Sequence, residues 1–210
     1  MAEIKVPFHK AAITKAEEDA VLNVLRSGWL TTGKYALEFE KKFSEAVSSG
    51  DKEKGRAPVI SLAVNSNTSG MILAMEACGV KQGTAVITTP YTFVSTATCA
   101  RHLNADVYFA DTEKDTYSID PDKIEEILKK DAENGQRVRA IVPVHIAGNI
   151  CNMERILELA KKYSTPENRI RVIEDAAHSF PSPTKLGFAG VIGDVGVFSF
   201  YVTKTITTAE

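Results

Sequence analysis

The order of its apolar runs predicts an α/β fold, a doubly wound and mostly parallel sheet. Two observations carry that reading. From Val59 onward, short apolar runs rich in β-branched residues alternate with stretches of helical spacing. Successive strands are separated by a helix rather than a tight hairpin, which implies parallel pairing and right-handed crossovers. The predicted strands are Val59–Val64, Ala85–Thr89, Asp106–Ala110, Ala140–Val144, Ile170–Ile173 and Val195–Phe200.

Each helix between them has a start or stop signal. Thr14-Lys15-Ala16-Glu17 is a capping box, followed by Ala20, Val21, Val24 and Leu25 at helical spacing and stopped at Gly28. Trp29-Leu30-Thr31-Thr32-Gly33 is a loop, and Ala36, Phe39, Phe43 and Val47 mark a second amphipathic helix. Ser48 to Pro58 reads as a charged, exposed connection. The polar turn Asn65–Gly70 opens a helix that runs to Cys78 and stops at Gly79. Further helices cover Val94–His102, Asp120–Glu133 (Asp120 as N-cap, Pro121 at the first position) and Asn152–Tyr163. Lys123–Lys130 reads as a solvated helix face. The domain division expected is 1–58, a helical segment and connection, and 59–210, the large domain.

The composition narrows the class. With 44% hydrophobic and 25% charged residues and a net charge of −2, the chain is of ordinary soluble globular type. That balance gives no electrostatic case for nucleic acid or an anionic membrane. No apolar run nears the roughly 20 residues of a membrane span, and the first residues lack a signal-peptide core. Cys78, Cys99 and Cys151 form no CxxC pair, so no zinc or other metal site and no disulfide framework is indicated, and each reads as a small buried hydrophobe. A cytoplasmic setting is expected.

The chemistry gathers between Arg169 and Lys204. The strand Ile170–Ile173 ends in Glu174-Asp175, and the carboxyl edge of an open α/β sheet is where ligands sit. Val195–Phe200 delivers Ser199, and Lys204 follows. Alone, Asp175 reads as well as a helix cap or ion-pair member as it does as a site residue, and Lys204 reads as a surface lysine. Together they suit pyridoxal phosphate, which takes a lysine amine for its Schiff base and a carboxylate against its ring nitrogen. The Asn65–Gly70 turn could hold a phosphate at a helix N-terminus or be a plain capping turn. Phe93 or Tyr91 could stack on a flat ring or simply pack in the core. His145 and His178, near the same sheet edge, read as structural or site histidines.

Taken together, NSNTSG, TTPYTFVSTA, AIVPVHIAGN, VIEDAAHSF and GVFSFYVTKTITTAE resemble, in order, the DegT/DnrJ-type nucleotide-sugar aminotransferases. These are fold-type I pyridoxal-phosphate enzymes. The resemblance implies that Lys204 forms the Schiff base and that Asp175 pairs with the pyridine nitrogen. It puts His178 near the phenolic oxygen, Phe93 on the ring, and Thr68, Ser69 and Ser199 on the phosphate. Trp29 and Thr31 would border the sugar. It further implies glutamate and a nucleotide-linked keto sugar as substrates, and a homodimer sharing its active site. Asn67 departs from a position that is often glycine. Family members continue well past the equivalent of Glu210, with a small C-terminal domain absent from this chain. The expectation is therefore an incomplete large domain, inactive by itself. The competing readings are an inactive pyridoxal-phosphate-binding regulator, a sugar dehydratase (which carries histidine at the place of Lys204), and a plain nucleotide-binding domain. The last is disfavoured by the lack of a glycine-rich fingerprint.

Overall fold

A computed structural model describes residues 6–48 and 58–208. Five parallel strands form one sheet: β1 (Ala85–Thr88), β2 (Asp106–Phe109), β3 (Val138–Val142), β4 (Arg171–Asp175) and β7 (Val195–Val197), in the order β2-β1-β3-β4-β7. A two-stranded antiparallel hairpin, β5 (Pro183–Thr184) and β6 (Gly187–Phe188), lies in the β4–β7 connection. The mostly parallel sheet joined largely through helices is the architecture the sequence predicts, with five of the six expected strands.

The sheet is wound on both faces. The chain leaves β1 through α4 (Ser95–His102), then reverses direction through α5 (Pro121–Glu133) and α6 (Met153–Tyr163). With right-handed crossovers, the reversal puts α4 on one face and α5 and α6 on the other. Strand residues alternate between the two cores, as a period of two requires. Ala85, Ile87, Ile141 and Val172 pack with Ile124, Leu128, Ile156 and Leu159 of α5 and α6. Val86, Ala140, Val142 and Ile173 pack with α4 and with Met71, Ala74 and Met75 of α3 (Asn67–Ala77). Full burial of each Val, Leu, Ile or Met side chain among these contributes about 1.5–3 kcal/mol. The helix caps are those the sequence predicts. The Asp122 amide donates to Asp120 Oδ1 at 2.8 Å, the Arg155 amide to Asn152 Oδ1 at 3.2 Å, and Thr14 and Glu17 complete their box on α1 (Lys15–Ser27).

Several expectations change. Val59–Val64 is not a strand: the Ser61 and Ala63 amides donate to Ser44 Oγ (3.0 Å) and Glu40 Oε1 (2.8 Å) of α2 (Lys34–Val47) instead of to a neighbouring strand. Ile60 and Leu62 stay 83% and 78% exposed, and a groove lined by Val59–Val64 and by Gly193–Val197 separates the segment from β7. The final strand stops at Val197 rather than Phe200. Beyond it the backbone leaves the sheet so that Phe198 and Phe200 meet Phe43 of α2, with ring centroids 4.9 and 5.4 Å apart, and burial of aromatic surface wins over further ladder bonds. The helical face at Lys123–Lys130 is not wholly solvated either. Glu125 reaches α6 and pairs with Arg155 (2.8 Å) and Lys162 (2.6 Å). Cys78 is only half-buried, whereas Cys99 and Cys151 are buried. Most of the predicted Ser48–Pro58 connection lies outside the described residues. No helix among the described residues is long and apolar enough to cross a membrane.

Gly190 and Gly196 show how tightly the last strand is set. Gly190 has φ +93°. A Cβ on Gly196 would overlap the Gly190 carbonyl oxygen, a backbone atom that cannot rotate away. Gly196→Ala is therefore expected to destabilise the fold by on the order of 3 kcal/mol, the upper range for overpacking, read as a lowered urea midpoint. An unchanged midpoint would show that this contact yields.

Candidate active site

The site begins with two neighbouring acids that the pleat sends to opposite faces. Glu174 enters the α5/α6 side and is fully buried. Its Oε2 meets His145 Nε2 at 2.8 Å and accepts the Gly190 amide at 2.8 Å, while Oε1 accepts the Ile192 and Gly193 amides, each at 2.7 Å. The Cys151 amide donates to His145 Nδ1 at 3.3 Å, so the ring proton sits on Nε2 and points at Glu174. This pair holds the long connection that carries the chain back to β7. His145 is thus a structural histidine, one of the two readings its sequence allowed.

Asp175 turns the other way, toward α4. It is 4% exposed. Its Oδ2 accepts the Thr96 hydroxyl at 2.8 Å and its Oδ1 the Ala177 amide at 3.2 Å. Burial pushes its pKa up, because a low-dielectric site disfavours the charge, and the Thr96 and Ala177 bonds pull against that. His178 accepts the Ala147 amide on Nδ1 at 3.1 Å, leaving Nε2 as a donor. Its pKa is lowered, first by burial and then by the positive charge of Lys204.

Lys204 shares one small cleft with Ala177, His178, Phe180 and Ser199. Burial lowers the pKa of its amine, and the Asp175 charge opposes that shift. Among the described residues the amine makes no ion pair. A lysine biased toward its neutral, nucleophilic form near a buried carboxylate is the donor set pyridoxal phosphate needs.

The proposed phosphate turn lines the neighbouring groove beside β7. Ser66, not singled out from sequence, is the N-cap of α3 and takes the Ser69 amide at 3.1 Å; its hydroxyl lies 3.0 Å from that of Ser69. The plain capping role is therefore real. Thr68 and Asn67 fill the first turn, where amides have no intrahelical acceptor. Asn67 Nδ2 donates to the Val197 carbonyl at 3.2 Å and ties this turn to the end of β7, two residues before Ser199. Phe93 is 73% exposed rather than packed in the core. Trp29 and Thr31 lie in the loop between α1 and α2. The Trp29 indole donates to the Thr32 carbonyl at 3.0 Å, and among the described residues no hydrogen bond ties either residue to Asp175 or Lys204.

Sequence reasoning missed Thr96, and it named Glu174 beside Asp175 without the clamp that Glu174 makes. Thr96 had a signal, the four-residue spacing from Thr92 at the entry to α4. The clamp had none, because its amide partners lie 16 to 19 residues away.

A parallel α/β sheet with a buried acid and a lysine near its carboxyl edge is a setting that fits pyridoxal phosphate. The profile of the DegT/DnrJ/EryC1/StrS aminotransferase family matches residues 11–210, and the chain belongs to that family. The chain is 38% identical over 205 residues to the spore coat polysaccharide biosynthesis protein SpsC of Bacillus subtilis and 31% identical over 206 residues to the GDP-perosamine synthase of Escherichia coli O157:H7. In both, the match covers 98% of this chain, but 48% and 51% of the relative. The chain thus spans about half the length of the curated relatives it matches. Spr1654 of Streptococcus pneumoniae has the same fold in its PMP form, with a TM-score of 0.87 and 29% identity over 99% of this chain and 51% of that one. Its PLP form superposes with a TM-score of 0.85. The residues present here fit the cofactor of those forms, pyridoxal phosphate.

Proposed function

We propose that this chain carries the cofactor-binding part of a pyridoxal-phosphate aminotransferase that moves an amino group from glutamate to a nucleotide-linked keto sugar. One observation carries the reading: Asp175, His178 and a lysine with a lowered pKa meet at the carboxyl edge of the sheet. The named relatives, acting in coat polysaccharide and perosamine formation, support the sugar assignment.

When bound, pyridoxal phosphate supplies an electron sink for the carbon that exchanges the amino group. Asp175, an acceptor held in place by Thr96 and the Ala177 amide, keeps a proton on the ring nitrogen. Lys204 Nζ would hold the cofactor through its amine and, in the neutral form, would serve as the base at the carbon that exchanges the amino group. His178 offers its Nε2 proton to the ring oxygen. Thr68, Ser69 and Ser199 hold the phosphate, Phe93 covers the ring, and Trp29 and Thr31 border the sugar. A homodimer completes the site, and the reaction belongs to the cytoplasm.

The test is an absorbance titration of the full-length protein with pyridoxal phosphate, followed by glutamate. A cofactor band that appears on binding and bleaches with glutamate is the expected outcome. A bound cofactor indifferent to glutamate would favour the non-catalytic regulator instead.

A further inference from the structure

One buried hydroxyl bonded to Asp175 takes no chemical step in the mechanism. Thr96 lies in the first turn of α4 and is fully buried. In a helix interior a threonine hydroxyl can turn back onto the carbonyl four residues earlier. Here Thr96 Oγ1 instead contacts two side chains, Asp175 Oδ2 and Thr92 Oγ1, each at 2.8 Å. A hydroxyl has a single proton. An ionised Asp175 can only accept, so the Thr96 proton goes to Asp175, and Thr92 must then be the donor to Thr96. The result is a directed chain, Thr92 to Thr96 to Asp175, running from a half-buried loop residue to a buried carboxylate.

We propose that Thr96, oriented by Thr92, is a positioning residue that holds Asp175 as an ionised acceptor turned toward the ring nitrogen of the cofactor. The assignment rests on the reading of this cleft as a pyridoxal-phosphate site. Each bond in such a chain polarises the next. The Thr96 bond also opposes the rise in Asp175 pKa that burial imposes. With the Ala177 amide on Oδ1, two of the roughly four acceptor positions of the carboxylate are filled, and the others remain for a ligand. Without Thr96 the proton shared between carboxylate and ring nitrogen would move toward the carboxylate.

The test compares two probes in the full-length protein: pyridoxal phosphate, and its 1-deaza analogue, in which a C–H replaces the ring nitrogen. Thr96→Val is expected to weaken binding of the natural cofactor about tenfold, the worth of one hydrogen bond to a charged group, while the analogue binds as in the wild type. Thr96→Ser restores the hydroxyl and should bind both like the wild type. Thr92→Val, altered outside the helix, should show a smaller loss with the same selectivity, and it decides the matter if Thr96→Val fails to fold. Equal weakening toward both probes, or none toward the natural cofactor, overturns the positioning role alone. A wild-type protein that binds neither probe overturns the functional reading, and the assignment falls with it.

Discussion

Lys204→Ala is expected to remove covalent attachment of pyridoxal phosphate and to lower transamination about a thousandfold or more, within the range typical of a lost catalytic proton carrier. The reason is local. Lys204 follows the turn after β7, its main-chain amide donates to the Tyr201 carbonyl at 2.8 Å, and its amine shares the cleft with His178 and Ser199. Borohydride reduction of the cofactor-loaded full-length protein, followed by peptide mapping, is expected to find the label on Lys204. The pH dependence has a definite sign. The neutral amine is the nucleophile, and burial lowers the Lys204 pKa, so labelling should begin at lower pH than for a surface lysine. A label on another lysine, or bound cofactor with no label at all, would refute the role.

Asp175→Asn comes second in expected effect. It should leave the cofactor attached to Lys204 but cost on the order of 2–4 kcal/mol in the transition state, by analogy with other preorganised electrostatic contacts. Two further readouts separate this from a general loss of structure. The Asp175 charge favours the protonated form of Lys204, so its removal should move the onset of Lys204 labelling to still lower pH. The stability of the cofactor-free protein should change in the opposite direction to activity. A carboxyl whose folded pKa is raised binds its proton more tightly in the fold than in the unfolded chain, so stability falls as pH rises from the ordinary carboxylate range through the raised value. Asparagine carries no charge to bury, and the variant should melt higher than the wild type near neutral pH. Normal turnover with an unshifted labelling onset would remove Asp175 from the mechanism.

The sequence by itself determined the winding of the sheet. Parallel strands buried on both faces read as continuous apolar runs, and the helices between them carry local caps such as Asp120 and Asn152, so both signals lie within a few residues. Asp175 and Lys204 were singled out from the sequence for a related reason, one ending a strand and the other following the last strand near the edge where ligands sit. Tertiary structure alone decided the rest. Glu174 and Asp175 are adjacent, and composition cannot say which one serves the site. The pleat gives one to the His145 and Gly190–Gly193 clamp and the other to Thr96. Val59–Val64 has the residues of a strand, but a strand exists only through a partner, and α2 takes its amides instead. Phe198 and Phe200 continue an apolar run, yet the aromatic cluster around Phe43 draws them off the sheet. In each case the deciding contact joins residues far apart in the chain, where the period of the sequence carries no information about distance.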